Sequence, residues 1–470
     1  MENIKVNQNG KSVLLINISL RPNSKVTWFP IGIGYIATSM KNSGINFDLL
    51  DIEAYRYSNE EIIQKFVDKK YDIYCLGTLV TGYSKMKWLA EEIRKSNAEA
   101  TIICGNSVVS SIPKITLKKT EVDIGVMGEG DVTIVELIDA ICNNKPISEV
   151  AGICYLNGNE VVLTQRRPVI EDIDSLPIID WEIFNIDLYL EKSINGIAKP
   201  YPIPKEQIKA FVINTARGCP FQCTFCFHVF KGYKYRYRSS ASIVFELKML
   251  NQRYGINYVN FLDELTFFSK QQAEEFADKL IASGLNIFWN ADIRSNLFTN
   301  ADAEILQKMK QSGCLSVGYS LESGNAEILR QMNKGLSVDD FIIQKRALSA
   351  AGIHSNTSLV FGYPTETKET IRETFRALEK AGVYPSSGYL LPQPGTLMYD
   401  LALERGIIKN EEEYLLKMGD RQDFMVNFTN MSDEEFQAEV KEQLVILNEK
   451  LKMNLDQENL IKTGNQLQQI

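Results

Sequence analysis

The feature that most constrains this fold is an alternation of short apolar runs with longer amphipathic segments, which occurs twice along the chain. Between residues 12 and 145, five apolar runs alternate with segments whose apolar residues recur at the helical period. The alternation restarts at residue 210 and continues through six units to about residue 400. Because such alternation is typical of βαβ units with parallel sheets, the sequence predicts an α/β protein with two domains of this kind.

The two repeats and the segments beside them divide the 470 residues into four parts. Residues 12–145 predict a Rossmann-like domain, whose ligands bind beyond the carboxyl ends of the strands. Residues 146–209 predict a connector that contains a hairpin. Six βα units over residues 210–400 are too few for a complete eight-unit barrel, so we expect a partial (β/α)6 barrel. Residues 401–470 predict a small, mostly helical C-terminal region, in which Ser432 and Glu435 form a capping box.

The predicted strands follow from the apolar runs. Those of the first domain are Val13–Ile18, Phe47–Asp51, Ile73–Gly77, Ala100–Cys104 and Val122–Met127. Those of the barrel are Phe211–Thr215, Tyr258–Leu262, Ile287–Asp292, Ser316–Leu321, Ser358–Phe361 and Gly388–Leu391. The predicted helices of the first domain are Gly32–Ser43, Asn59–Lys69, Tyr83–Ser96 and Asp131–Asn143. Those of the barrel are Ser240–Tyr254, Lys270–Ser283, Ala301–Ser312, Asn325–Asn333, Val338–Ala351 and Lys368–Ala381.

Three cysteines follow the first strand of the barrel, in the stretch FVINTARGCPFQCTFC that spans residues 211–226. Cys219, Cys223 and Cys226 can converge on one soft metal centre and would leave one corner of an iron–sulfur cluster without a protein ligand. A zinc site is the alternative, and it would need a fourth ligand, for which His228 is the nearby candidate. The remaining cysteines lie in or beside apolar runs and are expected to be buried core residues: Cys75, Cys104, Cys142, Cys154 and Cys314.

Several classes of protein do not fit the composition and the motifs. The N-terminus lacks the pattern of a signal peptide, and no apolar stretch reaches the length of a membrane span, so we expect a cytoplasmic protein without a membrane partner. The net charge of −8 argues against a general grip on nucleic acid. No Gly-x-Gly-x-x-Gly and no phosphate loop follows the first strand, so a nicotinamide or flavin dinucleotide is not expected.

The phrase Thr-Ala-Arg-Gly-Cys-Pro-Phe-Gln-Cys-Thr-Phe-Cys, with its Cys-x3-Cys-x2-Cys spacing, resembles the radical S-adenosylmethionine (SAM) superfamily. The preceding Rossmann-like domain resembles the cobalamin-binding subfamily, which contains cobalamin-dependent methylases and the anaerobic Mg-protoporphyrin ester cyclase. The resemblance covers about residues 12–400. It implies a [4Fe–4S] cluster on the three cysteines, SAM bound at the open iron through its amino and carboxylate groups, and reductive cleavage of SAM to a 5′-deoxyadenosyl radical.

The same resemblance implies which residues contact SAM and cobalamin. The implied SAM contacts are Phe225, Asp263, Glu264, Arg294, Glu322, Ser323, Gly362 and Glu366. The implied cobalamin contacts are Ser19, Thr78, Thr81, Gly105, Asn106, Gly128, Glu129 and Gly130.

The Gln393–Thr396 turn also matches one common in the subfamily, whereas three details of the sequence depart from the family's pattern. Thr365 stands where the family's Gly-x-Pro-Gly-Glu turn has its second glycine. The Asp-x-His-x-x-Gly signature is absent from residues 12–143, so the resemblance implies a cobalt ion without imidazole on its lower face. Where many relatives have Gly-Gly-x-His, this chain has Gly105-Asn106-Ser107-Val108.

The resemblance favours a C-methyltransferase that acts on an unactivated carbon of a small metabolite and takes electrons from a donor such as flavodoxin or ferredoxin. A non-methylating cyclase, oxidase or rearrangement enzyme stays open. A methylthiotransferase of transfer RNA would need three further cluster cysteines and a C-terminal β-barrel, and a redox sensor would use the cluster without SAM. The run KGYKYRYR at residues 231–238 could stack on nucleic acid, but its place in the loop after the cysteines favours a structural role.

Overall fold

The computed structural model describes residues 5–197, 201–419, 423–456 and 460–461. It is an α/β protein built on two parallel sheets, as the sequence predicts. Part of the predicted C-terminal region lies outside the described residues. No helix among the described residues is long and apolar enough to cross a membrane.

The first sheet contains all five strands predicted for the N-terminal domain. They are β1 (Val13–Asn17), β2 (Asp48–Asp51), β3 (Ile73–Gly77), β4 (Thr101–Gly105) and β5 (Ile124–Val126). They run parallel in the order β2-β1-β3-β4-β5, which is the flavodoxin-like order. In this order the direction of winding reverses between β1 and β3, and ligands of such sheets bind beyond the strand ends at that point.

Helices cover both faces of the sheet. They are α1 (Ile31–Asn42), α2 (Ile52–Tyr55), α3 (Asn59–Asp68), α4 (Tyr83–Ser96), α5 (Ser107–Ser111), α6 (Pro113–Lys119) and α7 (Gly130–Cys142). The four longer ones, α1, α3, α4 and α7, are predicted from the sequence. The shorter α2, α5 and α6 are not, because a helix of one or two turns shows too little periodicity to be recognised.

The predicted hairpin lies on this sheet instead of standing apart in the connector. Its strands β6 (Ile153–Asn157) and β7 (Glu160–Leu163) are antiparallel, and β6 pairs with β5, so the sheet has seven strands. The hairpin covers an edge of β5 that would otherwise present unpaired backbone groups.

The connector holds the two domains together through aromatic side chains. It contains the unpredicted helix α8 (Ile186–Ser193) and places Trp181 against Phe211 of the first barrel strand, with ring centroids 5.3 Å apart. Phe29 of the N-terminal domain lies 4.9 Å from Trp181 and 5.4 Å from Phe211. The apolar core is therefore continuous from the first sheet through the connector to the barrel.

The barrel is partial, as predicted, and its sheet is interrupted once. Its strands are β8 (Ala210–Ile213), β9 (Ala216–Arg217), β10 (Arg236–Tyr237), β11 (Tyr258–Phe261), β12 (Phe288–Asp292), β13 (Cys314–Gly318), β14 (His354–Asn356), β15 (Ser358–Phe361) and β16 (Ser386–Tyr389). Five strands pair in the order β14-β13-β12-β11-β8, and β15 pairs with β16. A bridge between Glu322 and Leu359 joins the two parts.

The barrel helices follow the prediction closely. They are α9 (Ser240–Tyr254), α10 (Lys270–Ala282), α11 (Ala303–Gln311), α12 (Ala326–Gln331), α13 (Val338–Ala350) and α14 (Lys368–Ala381). The helices that follow the barrel are α15 (Leu397–Glu404), α16 (Glu411–Lys417) and α17 (Asp433–Lys450). The predicted capping box of Ser432 and Glu435 opens α17, which packs on the barrel through an ion pair between Glu439 and Arg372.

Candidate active site

The cysteine loop leaves the barrel at the carboxyl end of β8 and is closed at its base by a small antiparallel ladder. Arg217 pairs with Arg236, and Ala216 pairs with Tyr237. Gly218 follows with a φ of +90°, and a Cβ atom there would lie 3.2 Å from Cβ of Phe230. A glycine is therefore required at the point where the chain turns into the first cysteine.

The three cysteines lie together on this loop and form no disulfide. Cys223 is buried, Cys219 is half-buried, and Cys226 lies at the open side. Burial raises the pKa of the Cys219 thiol, and the neighbouring Cys223 raises it further. The described residues contain no set of three or more His, Cys, Asp or Glu side chains that converge as a single ion would require. A [4Fe–4S] cluster fits the loop better than a lone ion, because each thiolate binds a different iron and they need not meet at one point.

His228 is buried near the loop, and its Nδ1 atom has no hydrogen-bond partner among the described residues. Burial, and to a smaller extent the charge of Lys231, lower the pKa of its imidazole to about 4. The ring packs near Phe230, with centroids 6.5 Å apart. These contacts give His228 a packing role in the loop.

Hydrogen bonds to the end of α12 and to the Gly362–Glu366 turn pin the middle of the cysteine loop. The backbone N–H of Thr224 donates to the carbonyl of Met332 at 3.0 Å, and its hydroxyl lies 2.8 Å from the hydroxyl of Tyr363. Asn333 donates to the carbonyl of Gln222 at 2.9 Å. The loop is thus held between later barrel elements before any metal is bound.

Asp263 and Glu264, which follow β11, hold the start of the loop. The Asp263 carboxylate accepts from the Thr215 hydroxyl at 2.6 Å and from the backbone N–H groups of Thr215 and Ala216 at 2.8 and 3.0 Å. Burial raises the pKa of Asp263 to about 7, although these donors lower it. Glu264 accepts from the Gly218 N–H at 3.2 Å. Both residues lie where the sequence predicts SAM contacts, and the structure gives them a bracing role as well.

Arg294 lies next to a predicted cluster ligand. Its Nη1 atom is 3.9 Å from Sγ of Cys223, and its guanidinium stacks 3.7 Å from the ring centroid of Phe221. It also donates to the carbonyl of Lys334, while its buried Nε atom has no partner among the described residues. Arg294 therefore places a positive charge beside the sulfur atom of a predicted cluster ligand.

Glu322 is held by a lysine that the sequence analysis did not identify. One carboxylate oxygen is 2.9 Å from Nζ of Lys334, and the other is buried without a partner in the described part of the chain. Glu322 adopts a φ of +67°, which is strained for a residue with a side chain. Lys334 Nζ lies 6.0 Å from the ring of Phe225, so two predicted SAM contacts share this neighbour. Ser323 is buried, and its hydroxyl accepts from the N–H of Asn325 at 3.2 Å.

Gly362 and Glu366 form a closed turn beside Tyr363. The Gly362 N–H donates to the Glu366 carboxylate, and Gly362 has a φ of +112°, which favours glycine. Burial raises the pKa of Glu366 to about 8, and its second oxygen has no partner among the described residues. The Gln393–Thr396 turn also reaches the loop, since a Cβ atom on Gly395 would lie 2.7 Å from the ring of Phe227.

The raised pKa of Glu366 predicts a pH dependence of stability. Between about pH 4.5 and 8 the folded protein keeps a proton that the unfolded chain releases, so the free energy of unfolding should fall as pH rises through this window. The slope for one group is about 1.4 kcal/mol per pH unit. In urea denaturation, the free energy of unfolding of the wild type should therefore fall relative to that of Glu366→Gln between pH 5.5 and 7.5. The difference between the wild type and Glu304→Gln, a change at an exposed residue, should stay constant over the same range. A difference independent of pH would contradict the expectation.

The carboxyl ends of β1 and β3 carry the first group of predicted cobalamin contacts. Ser19 and Thr78 are buried, and the Thr78 hydroxyl has no partner among the described residues. Beside them, the side chains of Leu20 and Leu79 are 42% and 46% exposed. An apolar surface with an unpaired hydroxyl at the switch point fits a large ring such as a corrin, which offers both apolar area and amide side chains. Thr81 follows, half-buried, in the turn before α4.

The ends of β4 and β5 carry the second group. Asn106 has a φ of +74° and its side chain accepts from the N–H of Ser107 at 2.6 Å. Gly128 has a φ of +73°, and its N–H donates to Ser110 at 3.0 Å. A Cβ atom on Gly130 would lie 2.8 Å from Ile36, so this glycine allows α7 to approach α1. Gly105 ends β4 next to Gly77 of β3. The cobalamin contacts stay predictions.

Glu129 joins the two domains through ion pairs that the sequence did not predict. Its carboxylate accepts from Arg217 at 2.6 Å and from Arg236 at 2.9 Å, and Asp131 accepts two hydrogen bonds from Arg217 at 3.0 Å. All four side chains are at most 8% exposed. We call these four residues, Glu129, Asp131, Arg217 and Arg236, the interdomain clamp.

The clamp brings the carboxyl ends of two sheets together. Glu129 follows β5, whereas Arg217 lies two residues before Cys219. Burial by itself would lower the pKa of Arg217, but Asp131 and Glu129 raise it above its usual value. Glu129 also accepts from the Ile170 N–H at 2.7 Å, so the connector shares the clamp. The loop predicted to contact cobalamin is thereby fixed against the loop that carries the cysteines.

Comparison with known proteins agrees with this architecture. Residues 213–378 match the radical SAM superfamily model, and residues 20–138 match the B12 binding domain model. The chain contains a radical SAM domain and a B12-binding domain. The first match contains the three cysteines and the barrel strands β9 to β15, and the second contains strands β2 to β5 of the first sheet. The two domains imply a [4Fe–4S] cluster, SAM and cobalamin as cofactors.

Individual proteins are similar to most of this chain. An uncharacterised methyltransferase of Pyrococcus horikoshii is 27% identical over 384 residues, which cover 81% of this chain and 79% of the relative. The anaerobic magnesium-protoporphyrin IX monomethyl ester cyclase of Cereibacter sphaeroides is 26% identical over 74% of this chain and 56% of its own length. The structure of the radical SAM methyltransferase TsrM from Kitasatospora setae, with cobalamin and a [4Fe–4S] cluster bound, superposes with a TM-score of 0.67 at 19% identity, covering 85% of this chain and 79% of that chain. This last likeness shows the shared fold.

Sequence analysis missed three kinds of residue at this site. Arg236 lies in the run KGYKYRYR, where the sequence does not distinguish this buried residue from its basic and aromatic neighbours. Asp131 and Lys334 gave no motif signal. Arg217 did give a signal, because it stands within the cysteine phrase itself. A charged residue at that position predicts an oppositely charged partner.

Proposed function

We propose that this enzyme transfers a methyl group to a carbon atom of a small molecule in a reaction that depends on cobalamin. The interdomain clamp is the observation that carries the proposal. Four buried, mutually paired charges hold the strand ends of the B12-binding domain against the cysteine loop of the radical SAM domain. A substrate between these strand ends would face both cofactors, as a reaction that uses both requires.

Each group in the site has a definable task in this proposal. When bound, the cluster and SAM supply a 5′-deoxyadenosyl radical, and cobalamin supplies a methyl carrier. Cys219, Cys223 and Cys226 would hold the cluster, and the guanidinium of Arg294 lies beside the Cys223 sulfur. Asp263 fixes the base of the loop through its hydrogen bonds to Thr215 and Ala216.

We further propose that the electron required for SAM cleavage comes from a small donor protein such as flavodoxin or ferredoxin, and that the enzyme works in the cytoplasm. All eight cysteines are free in the structure, and Cys75, Cys104 and Cys314 are completely buried with no partner sulfur. Free cysteines without disulfides are typical of a reducing compartment, where such donors also operate.

The proposal is tested by anaerobic reconstitution of the full chain with iron, sulfide and hydroxocobalamin. After gel filtration, both cluster and corrinoid absorbance should remain with the protein. Incubation of the holoenzyme with SAM carrying a deuterated methyl group, a chemical reductant and a small-molecule extract should then place the label in one small molecule and release S-adenosylhomocysteine. Loss of the corrinoid on gel filtration would overturn the dependence on cobalamin.

A second candidate is a non-methylating reaction, because the cyclase of Cereibacter sphaeroides is 26% identical to this chain over 74% of its length. The same assay separates the two candidates. Formation of 5′-deoxyadenosine together with a converted substrate, but without S-adenosylhomocysteine or transferred label, would favour the cyclase-like reaction.

A further inference from the structure

The inner face of the partial barrel carries a row of polar side chains that no cofactor assignment uses. Parallel pairing sets Asn260 of β11 beside Asn290 of β12, Asn290 beside Ser316 of β13, and Ser316 beside His354 of β14. Asn260, Asn290 and Ser316 are half-buried, and His354 is exposed. We call Asn260, Asn290, Ser316 and His354 the polar belt.

The alternate residues of the same strands show that the belt faces the lumen. Val259, Phe261 and Trp289 are buried, and Phe261 and Trp289 pack against Phe276 of α10 on the outside of the barrel. Because successive side chains of a strand point to opposite faces, the belt residues point inward. A solvent-accessible, polar interior is unusual for a barrel core, which is ordinarily filled by branched apolar side chains.

The bottom of the lumen is closed by apolar residues. Tyr258 and Phe288 lie two residues before Asn260 and Asn290 on the same strands. They pack with Ile197 and Ile208 of the connector. At the other end of the lumen the strands terminate at the cysteine loop, and we infer that a ligand enters from there. The lumen thus has an apolar floor and a polar wall, and its open end faces the cysteine loop.

The belt is ordered before a ligand binds and keeps hydrogen-bonding capacity. The Asn290 side-chain amide donates to Asn260 Oδ1 at 2.8 Å and to the Tyr258 hydroxyl at 2.6 Å, and it accepts from Ser316 at 2.9 Å. These bonds fix the orientation of each amide. Asn260 Nδ2 donates to no group among the described residues, and the Tyr258 hydroxyl still has its own proton to donate.

Charge and distance narrow the class of ligand. No lysine or arginine lies on the inner face of β11 to β14, so the belt offers no fixed positive charge to pair with a phosphate or carboxylate. Asn260 is three residues below Asp263, which braces the cysteine loop, and this spacing is about 10 Å along a strand. A ligand of about this length can bind the belt at one end and present a carbon atom to the cofactors at the other.

We propose that the polar belt anchors the substrate, and that the substrate is an uncharged molecule with several hydroxyl or amide groups, of the size of a nucleoside or a sugar. This inference rests on the proposed function in one respect: the reaction is taken to occur at the open end of the lumen. A flat, largely apolar tetrapyrrole would leave the amides of Asn260 and Asn290 desolvated and unpaired, which is costly.

Binding to the anaerobically reconstituted holoenzyme tests the proposal. A panel of nucleosides and pyranose sugars without phosphate or carboxylate is titrated by isothermal calorimetry, and protoporphyrin IX is titrated in parallel. At least one panel member should bind with a Kd below ~1 mM. Asn260→Leu and the milder Ser316→Ala should weaken that binding by about tenfold or more, since each removes a hydrogen bond to the ligand or to the belt. Ser355→Ala, on the outer face of β14, should leave it unchanged.

Two results would overturn the proposal. One is tighter binding of protoporphyrin IX than of every panel member. The other is panel binding that is absent, or insensitive to Asn260→Leu and Ser316→Ala. Methyl transfer is scored separately on the wild-type enzyme with deuterated SAM. A ligand that binds through the belt but receives no label would count against methyl transfer and leave the substrate class standing.

Discussion

Replacing Cys219, Cys223 and Cys226 by alanine is expected to abolish both the iron–sulfur absorbance of the reconstituted protein and its cleavage of SAM. The three thiols lie on one loop, which is held in place without metal by hydrogen bonds that Thr224 and Asn333 make and that the Asp263 carboxylate accepts. Removing the thiols should therefore remove the metal ligands and leave the loop folded. SAM cleavage should fall to the detection limit, because a cluster without protein ligands cannot be retained.

The matched control is Cys314→Ala, which makes the same chemical change at a completely buried cysteine on the outer face of β13. This variant should keep the absorbance and the SAM cleavage of the wild type, at some cost in stability from the small cavity. Iron content, visible absorbance and release of 5′-deoxyadenosine are the measurements. Retention of a cluster or of SAM cleavage in the triple variant would disprove the assignment of these cysteines.

Breaking the interdomain clamp is expected to have the second largest effect. Arg217→Met keeps most of the side-chain volume but leaves Asp131 buried without its partner, and removal of one member of a buried ion pair costs about 3–5 kcal/mol. We expect a lower free energy of unfolding and, because the Gly128–Gly130 loop is then no longer fixed against the cysteine loop, weaker retention of cobalamin. Equilibrium unfolding and corrinoid retention after gel filtration measure the two effects.

The barrel supplies a control of the same kind. Arg238 and Glu246 form an ion pair that is as deeply buried as the clamp but lies within one domain. Glu246→Gln should also destabilise the protein, yet it should retain cobalamin like the wild type. Equal corrinoid retention in Arg217→Met and Glu246→Gln would show that the clamp contributes stability alone and does not position the cofactor loops.

Local patterns in the sequence were enough to predict most of the elements. Parallel strands buried on both faces read as apolar runs, so β1, β3 and β4 were predicted within a residue of their bounds. The longer helices with a clear apolar face, such as α9 and α14, were predicted with their bounds as observed. Elements of one or two turns, α2, α5 and α6, and the position of the hairpin on β5 were not predicted. Their formation depends on contacts with distant parts of the chain.

The kind of cofactor could also be predicted from the sequence, because Cys219, Cys223 and Cys226 lie on one loop and their spacing is local. Contacts between residues far apart in the sequence were determined by the tertiary structure. The clamp joins Glu129 to Arg217 across 88 residues, and the belt joins Asn260 to His354 through three pairs of strands. A single carboxylate or amide in a sequence does not reveal its partner, since the partner is chosen by which strand ends and which sheet faces the packing brings together. The kind of cofactor was therefore determined by sequence, whereas the docking of the two domains and the polar lumen that would select the substrate were determined only by the fold.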